Sequence, residues 1–584
     1  MKHCLVIICL LFFCCSAHIL FAQPNVGDNT RTGVVRQGQL VVPYNSIEEA
    51  TTLDPRQSSR VMALQWLMEP ADKDRGQVFI AQVVLPEDWA KEEILLYIYF
   101  PRIPFSLEIN GEVIEIEQVG VNTSIQLTSL LKRTDTFTIK LTTGEAKLKD
   151  VEQVSHQFLV VARPFLRSEN QYFKNFQKHR NFYRPLIWIV GTDIVNHTGQ
   201  TVRKSDLVRE YYTSIYTNKL AAYYDTLNDQ NDMVLPGTNY YWGIHHGKGI
   251  YDYFWTAETP NLITSAHLQR TSSPHYKARE ALSVRVGVRM AEMKKGQLRI
   301  NNIPLTLRPV AYSHPAVSQA APDKDSLQAY VIKLKRHNIN TIIVSGLPAN
   351  SDLYDLADTY GLYIIQKAGK WEDTASDPDH WMMQQLSMMF MLCNSPSVVG
   401  WQLDTINVDE HSALVQALSD SSHNNRLWGS VGPNLQSPFL MEKPSNLPLT
   451  VLAELSAKEL KRLKKAYQPV NLWVVDDASQ RISIKNGFDF APLQGFILQW
   501  QIYDGFKLLN EGDISNLHVL SGKVETLSLP FNFSDYKNSK YRFRFSLQLA
   551  SDEAWATKGY EVAWEEFSYR TTGDADNLKL EKIL

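Results

Sequence analysis

Beyond its first 22 residues the chain has almost no cysteine: Cys4, Cys9, Cys14 and Cys15 fall inside that leader, and only Cys393 follows. An internal disulfide is excluded for a chain that has lost the leader, so stability must come from packing. A large excess of one charge is also lacking. The formal net charge is −3, from 59 basic and 62 acidic side chains. No long-range field gathers polyanions around the molecule, and nucleic acid is not expected as a partner. Long apolar runs are missing as well. Leu5 to Phe13 is apolar, but Ser16 and His18 interrupt the stretch before the ~20 residues that a spanning helix prefers.

A hydrophobic fraction of 44% and a charged fraction of 21% are ordinary for globular chains, and 584 residues exceed what one core serves. Aromatic residues reach 11%, including 13 Trp and 26 Tyr, a level that suits dense sandwich cores or surfaces that stack on sugars. Lys2 and His3, the apolar stretch and Leu20-Phe21-Ala22 read as a secretory signal over residues 1–22. A secreted or periplasmic protein with no membrane span after cleavage is the expectation. Lipid attachment at Cys14 or Cys15 is disfavoured, because Phe13 and Cys14 stand where such signals want small residues.

From about Gly38 to Val161, short alternating runs such as Val78 to Val84 and Phe137 to Leu141 predict a β-sandwich, and Asn110-Gly111 predicts a two-residue hairpin. The segment 165–253 has no clear period; apolar groups at helical spacing from Asp206 to Tyr224 suggest one helix there. A second sandwich closes by Met290. The period then changes to alternating helices and buried strands: helix 325–338, strand 341–344, helix 351–360, strand 362–365, helix 380–392, strand 398–403, helix 410–418 and strand 427–431. Such repeats imply parallel strands with right-handed crossovers. Beyond Leu455 strands return, and Asp504-Gly505 marks another hairpin.

Several segments carry a family resemblance. They are Phe254 to Leu262, Val286 to Arg289 with Gly296 to Leu305, Tyr360 to Ile365, Asn394 to Trp401, Lys464 to Val470 and Ala554 to Glu565. Taken in order over 300 residues, they resemble the family-two glycoside hydrolases, with bacterial β-galactosidases as the nearest pattern. The resemblance implies a multidomain β plus α/β chain: a signal peptide 1–22, a sugar-binding-like jelly-roll sandwich 23–165, an immunoglobulin-like sandwich with an irregular insertion 166–297, a truncated TIM-type barrel 298–455, and a C-terminal immunoglobulin-like sandwich 456–584 like β-galactosidase domain four. A complete barrel takes about 250 residues.

Retaining hydrolysis needs two carboxyl groups about 5–5.5 Å apart. In the family the fourth strand ends with the acid/base glutamate; here the matching run is Trp401-Gln402-Leu403-Asp404-Thr405-Ile406, and Ile406 transfers no proton. Strand one ends in Ala311, Tyr312 and Ser313 with His314 retained, strand two has Ile343 and Gly346, and strand three ends Gln366-Lys367-Ala368-Gly369. The catalytic candidates that remain are Asp404, Glu442 and Glu372, each set against a reading as a loop carboxylate or helix cap, as Asp409 also is. Trp401 and His314 are the candidates for touching substrate. His245-His246 with His314 is not expected to hold a metal, because adjacent histidines on an extended chain point apart. The family's magnesium ligands do not carry over, and no cofactor is expected. Two functions follow: a catalytically degenerate carbohydrate-binding or scaffolding protein, or an exo-β-glycosidase acting on terminal β-galactosides through relocated carboxylates. A second copy or another chain covering the open barrel edge is the expected protein partner.

Overall fold

The computed structural model describes residues 35–37, 40, 42–45, 49, 57–69, 77–99, 105–116, 122–131, 134–143, 158–177, 186–203, 207–213, 221–226, 233–234, 239–246, 261–270, 276–286, 291–294, 297–300, 303–314, 322–346, 348, 351–367, 385, 388, 391–392, 395, 397–404, 427–431, 455–475, 480–571 and 578–583. The molecule is mostly β, in several domains around one parallel sheet.

Two five-stranded sheets make the first sandwich. In Val78–Val84 the side chains of Phe79, Ala81 and Val83 turn inward, where they meet Ile94, Leu96 and Ile98 of Glu93–Ile98. That strand is buried on both sides, since Leu95 and Tyr97 pack outward with Val161. Asn110 and Gly111 have φ of 49° and 85°, the positive pair that a tight hairpin requires, and Ile109 pairs with Glu112 across it.

The next region holds a three-stranded and a five-stranded antiparallel sheet, and Pro43–Tyr44 completes the latter by pairing with Leu282 and Ala281. Among the described residues between Asp206 and Tyr224 the expected helix is absent. Leu207–Thr213 and Ala221–Thr226 are strands, with Tyr211 opposite Tyr223. Val208, Tyr211, Tyr212 and Thr213 favour extended chain, and Leu207–Thr213 also pairs with Asn261–Arg270. Partners on both edges override a weak helical spacing.

Buried ion pairs tie this region to the first. Arg163 donates Nε and Nη2 to the Glu280 carboxylate at 3.1 and 2.8 Å and Nη1 to the Tyr97 hydroxyl. Glu93, itself buried, meets Arg167 and lies 3.0 Å from His197 Nδ1.

The parallel sheet comprises β1 (Pro309–Ser313), β2 (Thr341–Ser345), β3 (Tyr363–Lys367), β4 (Val398–Asp404) and β5 (Leu427–Val431), in that spatial order. Helices α1 (Lys324–Arg336) and α2 (Asp352–Tyr360) cover one face, against Val310, Ile342, Val344, Ile364 and Val398. Leu298, Ile300 and Leu305 pack on the other, against Ile343, Tyr363, Ile365 and Val399. Because both faces are covered, these strands read as continuous apolar runs. The Asp323 side chain caps α1, and Gly361, at φ 75°, ends α2. Gln385, Met388 and Met391 are helical, in agreement with the third crossover, expected at 380–392; the helix expected at 410–418, and residues 432–454 where later barrel strands would fall, lie outside the described residues.

Helix α3 (Ala457–Ala466), closed by a Ser456/Glu459 capping box, leads into the last sandwich, a three-stranded and a five-stranded sheet around Trp500, Phe533, Phe543 and Phe545. Gly505 takes φ 58° at the expected hairpin. Among the described residues no helix is long and apolar enough to cross a membrane.

Candidate functional site

Parallel strands place their C-terminal ends, and the loops that follow, at one rim of the sheet, where barrel folds assemble their sites. The rim is polar in β1 to β3. Ser313 and Ser345 end the first two strands with their hydroxyls 2.8 Å apart. Lys367 ends the third, two residues beyond Ile365 on the face away from the helices, and is half-buried.

Behind this rim runs a hydrogen-bond chain. The Tyr354 hydroxyl, on α2, donates to Gln366 Oε1 at 2.6 Å and lies 3.3 Å from His314 Nε2. A hydroxyl that donates to Gln366 accepts from its other neighbour, so His314 carries a proton on Nε2. Gln366 Nε2 donates in turn to the Lys367 carbonyl at 2.9 Å. Burial pushes the Tyr354 phenol well above its ordinary pKa, and Tyr312 adds to the shift. The phenol therefore stays protonated. Gly346 follows β2 with φ 84°, and a Cβ there would stand 3.4 Å from His314 Cβ. The imidazole thus meets the Tyr354 phenol, while Gly346 leaves room for the Cβ and backbone of His314.

His314 accordingly sits at the rim, half-buried, with its ring edge-on to Tyr312 at 5.3 Å. Trp401 does not line it. The indole is 1% exposed and belongs to the core under the helices, because β3 and β4 shift register between Ile364 and Ile365, which sets Trp401 opposite Gln366. The expectation that Trp401 touches substrate is corrected on that ground: it has no surface to offer. Asp404 occupies the last paired position of β4, opposite Val431. Glu372 and Glu442, like Ile406 and Asp409, lie outside the described residues. Sequence reasoning missed Tyr354, whose signal was available: a phenol on the buried face of α2 beside Leu353 and Ala357.

Two carboxyls with raised pKa, Asp358 buried and Asp489 half-buried, lie at the opposite end of the sheet. Burial pushes Asp358 up to about 7, against hydrogen bonds from the Ser397 amide at 2.8 Å and the Ser395 hydroxyl at 2.9 Å. Asp489, pushed up by burial to about 6, faces Arg308 and accepts from the Thr306 amide. Both hold loops that precede strands, and so neither reaches the rim.

The rim offers hydroxyls, an imidazole and an ammonium, donors and acceptors of the kind that grip sugar hydroxyls. Among the described residues that end β1, β2 and β3 none is a carboxylic acid, and the one described carboxyl at a strand end is Asp404 on β4.

Comparison with known proteins agrees with this architecture. The family described as "Glycosyl hydrolases family 2, TIM barrel domain" matches residues 291–410, and "Beta-galactosidase, domain 4" matches residues 482–570. A β-galactosidase of Priestia megaterium is 25% identical over 427 residues, 54% of this chain and 41% of that protein. One from Photobacterium profundum is 31% identical over 162 residues, 26% of this chain and 15% of its own length. The chain thus spans less than half the length of these relatives. Among solved structures, the exo-chitosanase of Amycolatopsis orientalis superposes with a TM-score of 0.54 at 11% identity, covering 87% of this chain and 79% of its own. The Bacteroides uniformis β-glucuronidase gives 0.53 at 11% identity, covering 95% and 79%. At that identity the likeness concerns the fold.

Proposed function

Because the chain is a β-galactosidase-like protein of glycoside hydrolase family two, we propose that it binds terminal β-galactosides at the C-terminal rim of its parallel sheet without hydrolysing them. The observation that carries this reading is the set of residues at the ends of β1 to β3: Ser313, Ser345 and Lys367, backed by the His314–Tyr354–Gln366 chain. A retaining hydrolase needs one carboxylate to attack and a second to protonate the leaving group. Hydroxyls and the imidazole–phenol–amide chain supply hydrogen bonds to a sugar, and none of them is a carboxylate that could attack it. The sequence supports the same reading at the fourth strand, where Ile406 takes the place of the family's acid/base glutamate.

Titration calorimetry with methyl β-D-galactopyranoside tests the reading on the full chain. Binding should be saturable and weaker by about tenfold in the Ser313→Ala/Ser345→Ala variant, since each lost hydrogen bond is worth about 0.5–1.5 kcal/mol. Heat that does not saturate, or equal affinity in the variant, removes the rim from the account. Export to the periplasm or the outside, where polysaccharide is met, fits this role and rests on the leader at residues 1–22.

A further inference from the structure

The near-neutral net charge conceals a local excess. Three of the four residues Lys333–Arg336 are Lys or Arg, as are five of the ten in α3, where Glu459 is the sole acid. The fold brings the two segments together: Asn338 Nδ2, just past α1, donates to the Lys464 carbonyl at 3.2 Å and to the Val562 carbonyl at 2.8 Å. Lys458, Lys461 and Arg462 stand exposed on α3, and Arg336 is exposed at the end of α1. The carboxylates at the edge are already engaged, Glu561 by Arg544 and Glu565 by Lys465 and Lys582. Among the described residues Lys458 and Lys461 form no ion pair. His337, in the middle, responds to this surplus: burial lowers its pKa, and Lys464, Lys333 and Arg336 push it further down, against a bond from its Nδ1 to the Lys333 carbonyl.

Aromatic rings line the same corner. Lys464 Nζ lies 4.2 Å from the centre of the Tyr560 ring and Lys335 Nζ 5.9 Å from that of Trp555, while Arg336 Nε donates to the Trp555 carbonyl at 2.9 Å. Trp555 and Tyr560 meet edge to face at 5.7 Å and both are partly exposed. Cations beside ring faces suit a ligand that carries a carboxylate on a ring with one C–H face, because the anion meets the ammonium or guanidinium while the C–H groups lie on the indole.

We propose that the surface formed by the end of α1, the outer face of α3 and the Trp555–Tyr560 turn docks an acidic polysaccharide, a chain of sugars bearing carboxylates. Two other polyanions fit less well. The exposed large aliphatic and Phe side chains, such as Phe506, Leu509 and Leu520, belong to other segments, so beyond the partly exposed Trp555 and Tyr560 this corner offers a lipid surface no apolar group to bury. DNA carries one charge per about 1.7 Å, a density that the surrounding surface of a chain with net charge −3 repels. A uronate chain carries one charge per ring. This surface lies apart from the rim and does not depend on galactoside binding.

Binding of the full chain to polygalacturonate at low salt tests the proposal, beside neutral galactan, double-stranded DNA and phosphatidylserine vesicles. Affinity for polygalacturonate should fall steeply with added salt. It should drop by about tenfold or more in Lys461→Glu/Arg462→Glu and also in Trp555→Ala. If charge reversal disturbs folding, Lys458→Gln/Lys461→Gln removes charge without introducing repulsion and should weaken binding in the same direction. No binding to polygalacturonate, equal binding by a folded charge variant, or tighter binding of DNA or vesicles would overturn the proposal.

Discussion

Replacing Asp358 by Asn should stabilise the protein at neutral pH, and the size of the gain can be worked out from the site. The carboxyl is fully buried between α2 and the turn before β4, and its pKa is pushed up from 3.8 to about 7. A shift of roughly three pH units corresponds to about 4 kcal/mol at 1.36 kcal/mol per unit. With no solvent contact, no discount for screening applies. The sign follows from linkage. The native state holds this proton more tightly than the unfolded chain, so stability attributable to Asp358 is highest below about pH 4 and falls as pH rises through about 7, where it levels off. An amide at this position keeps an oxygen for the Ser397 amide and turns its NH₂ toward the Ser395 hydroxyl, so the hydrogen bonds survive. Asp358→Asn should therefore match the native protein near pH 4 and exceed it near pH 8, by up to about 4 kcal/mol. Calorimetric unfolding across that range measures the difference directly, and other titrating groups, Asp489 among them, cancel in the subtraction. A variant that is less stable at pH 8 and keeps the native pH slope would refute the reasoning.

Three further outcomes are expected. Glu280→Ala leaves Arg163 buried without its bidentate partner and should cost about 3–5 kcal/mol, seen as a lower calorimetric transition for the first two sandwiches. Gly346→Ala forces a side chain into φ 84° beside His314, which should lower stability by about 1–2 kcal/mol and weaken galactoside binding in titration calorimetry. Ile406→Glu should leave aryl galactoside turnover at the buffer rate, because one carboxyl does not replace a pair.

What was legible in the sequence followed from period and turn chemistry. The alternation in Val78–Val84, the Asn110-Gly111 turn and the buried runs of β2 and β3 each have one physical solution, and the structure adopts it. The helix read between Asp206 and Tyr224 failed because spacing alone ignores the strand partners available on both edges. Trp401 was misjudged for a related reason. Its placement depends on a register shift between β3 and β4 that no local pattern announces, and one shifted residue turned the indole into the core. His314 was visible as a retained residue, but its hydrogen bond to Tyr354 was not, since that phenol comes from another element. The basic corner escaped a reading of net charge because its two segments lie more than 100 residues apart in sequence.

The most direct test of the central claim is hydrolysis of p-nitrophenyl β-D-galactopyranoside by the full chain, with Asp404→Asn and Glu442→Gln measured alongside. The account predicts turnover no faster than the buffer blank for all three proteins. Turnover by the native chain that disappears in either variant would contradict it, since that carboxylate would then be doing the chemistry.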